Sequence, residues 1–355
     1  MSSRRLLPSR TLKLLLAAGA TGGGLALFLT QARPGELAAS VRALPPFAGA
    51  AALAAGLAGL ALTALRWRWL LRAAGVEVSV PRLFAALVTG AAANNLVPAR
   101  GGDALRVESV RQQTGAPRLA VAGTLVAERL LDGFVLALWI VIGALLAGAG
   151  GGTLLAGTGL LALTMAGGAA AAVAVARPDK ARTAARVGVR PLPARWRGPV
   201  ERGLLSLVEG LSIFRSGRAG WLALGGSAAI WLADVVMYGA LAHGFDLELG
   251  PGSILLLVGV GNLALAVPAA AAGLGSFELV TLAGARGIGA VGSSVGGFVL
   301  AVHATIVLPA TVLGFLMSRA ALPAAFGRRS AAVAGRDASR DLVPGHGCCA
   351  SPAAG

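Results

Sequence analysis

Apolar residues fill this chain in long unbroken runs. Runs at 12–29, 47–65, 119–147, 153–176, 221–243 and 297–317 meet or approach the about 20 residues a helix needs to cross a hydrocarbon core about 30 Å thick. They predict six full transmembrane spans. Two further runs, about 81–116 and 253–291, break midway at Asn, Pro and clustered Gly. The first break reads Asn94-Asn95-Leu-Val-Pro98-Ala-Arg100-Gly101-Gly102-Asp103-Ala-Leu-Arg106, and the second passes from Asn262 through Pro268 to Gly273, Gly275 and Glu278. Lipid offers no water to free backbone N–H and C=O groups, so a broken helix survives there only inside protein or beside a wet cavity. Such breaks in corresponding places of two halves point to a transporter's central site. The entering arms, 81–97 and 253–267, are short for a full crossing. Both segments therefore read as re-entrant hairpins in an all-α integral membrane protein.

Composition supports the membrane assignment. Of 355 residues, 56% are hydrophobic and 13% charged, whereas a soluble domain carries about 25% charge. The net charge of +16 is topogenic: the basic residues sit in short loops between apolar runs, where they set orientation and meet anionic lipid of the inner leaflet. No aromatic-basic groove motif accompanies them, which argues against a nucleic-acid partner. With both hairpins re-entrant and the N-terminus cytoplasmic, 27 of the 31 Lys and Arg fall on the inner side. Letting only the first hairpin cross fully would move the ten Lys and Arg of the 177–220 loop outside, against the positive-inside rule. The expected location is the cell membrane, with both termini cytoplasmic. The first run follows Arg4, Arg5, Arg10 and Lys13 without a convincing cleavage site, so it reads as an uncleaved span. Cys348 and Cys349, the only cysteines, imply neither a disulfide framework nor a metal site.

Three full spans separate the hairpins, so the first enters from the cytoplasm and the second from outside. That is the pattern of an inverted repeat, with units of about 47–147 and 221–317. The cytoplasmic basic loop 177–220 turns amphipathic from about 199 to 215, fitting either the inner leaflet surface or the bundle. Residues 321–355 are rich in Ala, Gly and Arg without apolar periodicity and read as a disordered tail.

Charge inside the apolar runs marks the candidate site, because an Asp, Lys or Arg at a span's centre costs about 2.5–3.5 kcal/mol on insertion scales. Glu128, Arg129 and Asp132 lie in the 119–147 span, at spacings that put Asp132 beside both others on one helix face. Arg100, Asp103 and Arg106 come from the first hairpin. Two arrangements fit these six residues. One is a hydrated chamber whose arginines hold an anionic head group, since the planar guanidinium binds phosphate oxygens in bidentate fashion. The other is a structural ion-pair network in which Asp103–Arg129 and Asp132–Arg106 lock hairpin to span. Asn95, Pro98, Gly102, Pro268, Gly273 and Gly275 form the hairpin turns, either as sharp turns or as ligand contacts. Glu278 follows the second turn as a lone acid that a proton or Arg286 would neutralise. Trp67 and Trp69, with Arg66, Arg68 and Arg72, read as an interfacial anchor. No metal-ligand spacing, phosphate-binding loop or nucleophile elbow is present, so no cofactor, metal or catalytic residue is expected.

The pattern Asn95-x-x-Pro98-x-Arg100-x-Gly102-Asp103-x-x-Arg106, then Glu128-Arg129-x-x-Asp132, then Pro268 with Gly273-x-Gly275-x-x-Glu278, resembles the lysylphosphatidylglycerol synthase transmembrane region, also called the flippase-like or UPF0104 family. The resemblance covers about residues 10–320. Ala269 to Ala272 stand where the family has a turn richer in Pro and Gly. In bifunctional relatives this region flips an aminoacylated phospholipid made by a fused synthase domain, which this sequence does not include. The resemblance thus implies translocation or binding of an anionic, aminoacylated or glycosylated lipid rather than lysyl transfer. A separate lipid-modifying enzyme is a conceivable partner. The rival expectations are a membrane enzyme transferring a sugar or aminoacyl group to lipid, with Asp103 or Glu128 as general base, and a lipid-binding assembly protein.

Overall fold

The computed structural model describes residues 9–32, 34–96, 101–215, 217–266 and 271–340. Among them every regular element is helical. The helices are α1 (Ser9–Ala32), α2 (Pro34–Ala43), α3 (Pro46–Ala73), α4 (Val80–Leu96), α5 (Gly102–Thr114), α6 (Arg118–Leu146), α7 (Gly151–Ala176), α8 (Pro178–Gly188), α9 (Ala194–Gly210), α10 (Gly217–Gly244), α11 (Pro251–Ala266), α12 (Ser276–Gly287) and α13 (Ser294–Arg340). Short 3-10 turns occupy Ser212–Arg215 and Ala271–Gly273.

Among the described residues five helices are long and apolar enough to cross a membrane: α3, α6, α7, α10 and the Ser294–Ser318 part of α13. α1 is not among them, although it has 24 residues and matches the predicted 12–29 run. The chain is a multi-pass all-α membrane protein. Its outward faces stay apolar: on α7, Leu155 and Leu163 are exposed where lipid would cover them.

The interrupted runs become pairs of short helices. At about 1.5 Å per residue, α4 and α11, with 17 and 16 residues, reach about 24–26 Å and fall short of a hydrocarbon core of about 30 Å. α5 and α12 are shorter still. The two long-short-short-long sets, α3–α6 and α10–α13, also pack reciprocally. α3 lies along α10; α4 packs on α13, as α11 packs on α6. Two large apolar cores result, with a smaller third cluster around Ile140, Ala144 and Leu256. One gathers Trp67, Leu70, Leu83, Val121 and Leu131, the other Phe28, Tyr238, Phe277, Phe298 and Val302.

Three boundaries differ from the sequence expectation. α3 continues through Arg66 to Ala73, so Arg66 and Trp67 are buried side chains and not an interfacial anchor. The amphipathic segment expected at 199–215 begins earlier, at Ala194, and ends as a 3-10 turn. The segment from 321, expected to be disordered, continues α13 to Arg340. Its alanines favour helix, and a span already formed removes the nucleation cost. Residues 341–355 lie outside the described part.

Candidate functional site

The site assembles where α3, α5, α6 and α10 meet. α6 presents Glu128 and Asp132 one turn apart. Facing them, α5 supplies Arg106, which donates from Nη1 to Glu128 Oε1 at 3.0 Å and from Nη2 to Oε2 at 3.1 Å. This is the two-bond fork expected of a strong Arg–carboxylate pair. The same guanidinium lies 4.3 Å from the centre of the Trp67 ring, and Trp67 Nε1 donates to Thr124 Oγ1 at 3.1 Å.

Arg66 of α3 completes the centre. Its Nη1 donates to Asp132 Oδ1 and to Ser227 of α10, and its Nη2 to Asp132 Oδ2 at 3.1 Å. Glu128 Oε2 lies 3.6 Å from Arg66, and Trp231 Nε1 donates to Asp132 Oδ1 at 3.1 Å. Arg66, Arg106 and Glu128 are at most 4% exposed. Such burial is tolerable only because each charge is paired and hydrogen-bonded. This corrects the expected Asp132–Arg106 pair. Arg66, from a helix assigned no role, takes Asp132 and leaves Arg106 to Glu128. A charged residue seven positions before the end of α3 sits about 10 Å inside it, a depth that could have signalled burial.

The outer part of the cluster is looser. Asp103 lies 3.6 Å from Arg106 and 3.5 Å from Arg129, so the expected Asp103–Arg129 pair is present, at the outer limit of contact. The Arg129 side chain is 60% exposed. It borders a groove of about 700 Å³ between α5 and α6, whose apolar wall includes Leu105, Leu119, Leu125 and Val126. At the far end Arg118 donates to Glu108 at 2.8 Å. That bond and one from Gln112 hold the Glu108 carboxyl below its usual range.

The first turn is built by close approach. Asn94 Oδ1 accepts the Gly102 N–H at 2.7 Å, capping α5, while Asn95 donates to Thr311 Oγ1 of α13 at 2.9 Å. A Cβ on Gly102 would run into the Gly90 carbonyl, so only glycine lets α5 lie this near α4. In the second turn Gly273 and Gly275 take φ of 73° and 86°, conformations that suit glycine. Glu278 does not pair with Arg286, which donates to Gln31 at 2.9 Å instead. Its partners are His303 of α13 at 2.6 Å and the Gly275 N–H at 2.7 Å. Pro98, Arg100 and Pro268 lie outside the described residues. Among the described residues no cluster of His, Cys, Asp or Glu is suited to a metal ion.

No solved structure matches the chain. A UPF0104 membrane protein of Methanothermobacter thermautotrophicus is 33% identical over 103 residues, which are 28% of this chain and 30% of that protein. The chain therefore matches under a third of that relative's length. The family profile described as lysylphosphatidylglycerol synthase TM region matches residues 11–314, which include both hairpins and every charged residue of the site, and the chain belongs to that family.

Proposed function

We propose that this protein moves a lipid with an anionic head group between membrane leaflets, and that the head group docks at Arg129 in the α5–α6 groove. The observation that carries this reading is the contrast between the arginines. Arg66 and Arg106 are buried, with two carboxylate contacts each. Among the described residues Arg129 makes one ion-pair contact, with Asp103 at 3.5 Å, and stands exposed beside an apolar trough. A lipid phosphate can displace that weak contact without opening the buried centre, and its acyl chains then lie against Leu105, Leu119 and Val126.

The proposed framework is an inverted repeat of about 47–147 and 221–317. Its hairpins α4–α5 and α11–α12 enter from opposite sides, and α1 is the sixth span. The short helices and the reciprocal packing of α4 on α13 and α11 on α6 support it. In this reading both termini lie on the cytoplasmic side of the cell membrane, which the positive-inside rule favours for the basic loops.

Leaflet exchange in vesicles tests the function. Purified protein is reconstituted with labelled anionic, zwitterionic and aminoacylated phospholipids, and label reaching the opposite leaflet is measured. Exchange of a lipid class without covalent change supports the proposal. A covalently altered lipid formed with an added donor, and no exchange, would point to a transferase.

A further inference from the structure

The second half of the fold holds a polar site that the lipid groove does not use. Glu278 of α12 and His303 of α13 are 0% and 3% exposed, and His303 Nδ1 lies 2.6 Å from Glu278 Oε1. The other ring nitrogen, Nε2, lies 2.9 Å from the Ala272 carbonyl oxygen. A carbonyl oxygen only accepts, so Nε2 carries a proton. The contact at Nδ1 then depends on one further proton, held as imidazolium against carboxylate or as neutral imidazole against carboxylic acid. Without it, the Nδ1 lone pair would face a carboxylate oxygen at 2.6 Å, two acceptors with nothing between them.

That proton holds the hairpin. Through Glu278 it ties α13 to the start of α12, where Glu278 Oε2 accepts the Gly275 N–H, while the separate Nε2 proton holds Ala272, whose φ of 54° is unusual for a residue with a side chain. His303 therefore grips the turn twice from α13, with its ring against Phe277 at 4.5 Å between centres. The interior ionisable groups of the packed elements are Asp234 and Tyr238 of α10 and Arg66 of α3. Asp234 is bonded by Asn262, the buried Tyr238 hydroxyl has no hydrogen-bond partner among the described residues, and Arg66 is paired with Asp132 and Glu128. α11 carries no ionisable side chain, α13 no other as far as Ser318, and those of α1, α2 and α4 lie towards the helix ends. Arg286 of α12 turns outward to Gln31.

We propose that Glu278 and His303 form a proton-binding site that latches the second hairpin to α13: binding one proton closes the contact, and releasing it frees the start of α12 from α13. The latch goes beyond the lipid reading, and any role in transport rests on that reading. A proton entering from one side and leaving on the other would then supply a driving force for the opposed hairpins. The balance is one proton per cycle, taken from water and returned to water, with no covalent change.

Two readouts on the full chain test this. Nitroxide labels at Leu274→Cys in the turn and Leu308→Cys on α13, in a Cys348→Ser/Cys349→Ser background, report the distance between hairpin and helix. Nitrogen-15 histidine spectra report the protonation of each His303 nitrogen. As pH rises and Nδ1 loses its proton while Nε2 keeps its own, a longer distance should appear, with a weight growing by up to about tenfold per pH unit, as one-proton linkage requires. Glu278→Gln, whose amide donates to neutral Nδ1, should hold the short distance at every pH. An unchanged distance after Nδ1 deprotonates, an Nδ1 that keeps its proton from about pH 5 to 8, or a full pH response in Glu278→Gln would each overturn the latch. Were the Gln variant not to fold, the two wild-type readouts decide alone. Neither readout requires lipid transport, so absent leaflet exchange would count against the flippase reading and leave the latch standing.

Discussion

Arg106 and Arg129 come from neighbouring helices and both reach Asp103, yet their surroundings give them different work. Arg106 is closed in by Glu128, Asp103 and the Trp67 ring. Removing one partner of such a buried pair strands the other charge, a loss of about 3–5 kcal/mol. We expect Arg106→Ala and Arg66→Ala to lower thermal stability in detergent sharply, and Arg66→Lys to fall between them and wild type because the two-bond fork to Asp132 is lost. Arg129→Ala should cost about 1 kcal/mol or less, as for other exposed pairs. A small effect at Arg106 with a large one at Arg129 would reverse the assignment of roles. Glu108 offers a pH test. Its folded-state carboxyl titrates below the ordinary value because Arg118 and Gln112 donate to it. Its contribution to stability is therefore complete above the unfolded-state value and is lost as pH falls through the lower, folded-state one. Comparing Glu108→Gln with wild type across acid pH should show the difference vanish in that window. A difference that is unchanged at low pH would show that the Arg118 contact stabilises nothing.

At the scale of helices, the breaks at Asn94–Asp103 and Asn262–Glu278 define the molecule. Both were legible in the sequence, because Pro and clustered Gly inside an apolar run leave few other readings. Glu128 and Asp132 were also legible, since acids one turn apart in a span need partners. Their partners were not. Arg66 and Ser227 lie 66 and 95 positions from Asp132, and only the packing of α3 on α10 brings them to it. His303 was equally silent, because a single histidine in a span gives no sign that a hairpin turn will fold back onto it. The turn glycines give a test at this scale. Gly102→Ala should displace α5 from α4, because its Cβ meets the Gly90 carbonyl. Gly275→Ala should cost about 1–3 kcal/mol through its positive φ and through crowding against Thr21 and Gly24 of α1. Alanine at Gly151 or Gly152, which have open space around them, should leave thermal stability nearly unchanged. Equal losses at Gly102, Gly275 and Gly152 would refute the close-approach argument.

Across the whole molecule, the reciprocal pairing of α4 with α13 and α11 with α6 means that neither half is complete alone. α6 and α13 are each buttressed by a short helix of the other set, and α3 lies along α10, so a movement of one hairpin is felt by the opposite half. The proposed inverted repeat also predicts sidedness. With the basic α8 and α9 on the inner face, Arg182→Cys and Gly250→Cys, each in a Cys348→Ser/Cys349→Ser background, should react with a membrane-impermeant reagent from opposite sides. Labelling from one side only would remove the inverted-repeat reading. The most direct test of the central claim is the rate of leaflet exchange of an anionic phospholipid by wild type, Arg129→Lys and Arg129→Ala proteins of matched thermal stability. The account predicts exchange by wild type, a reduced rate with lysine and background exchange with alanine. Exchange that continues unchanged in Arg129→Ala would contradict it.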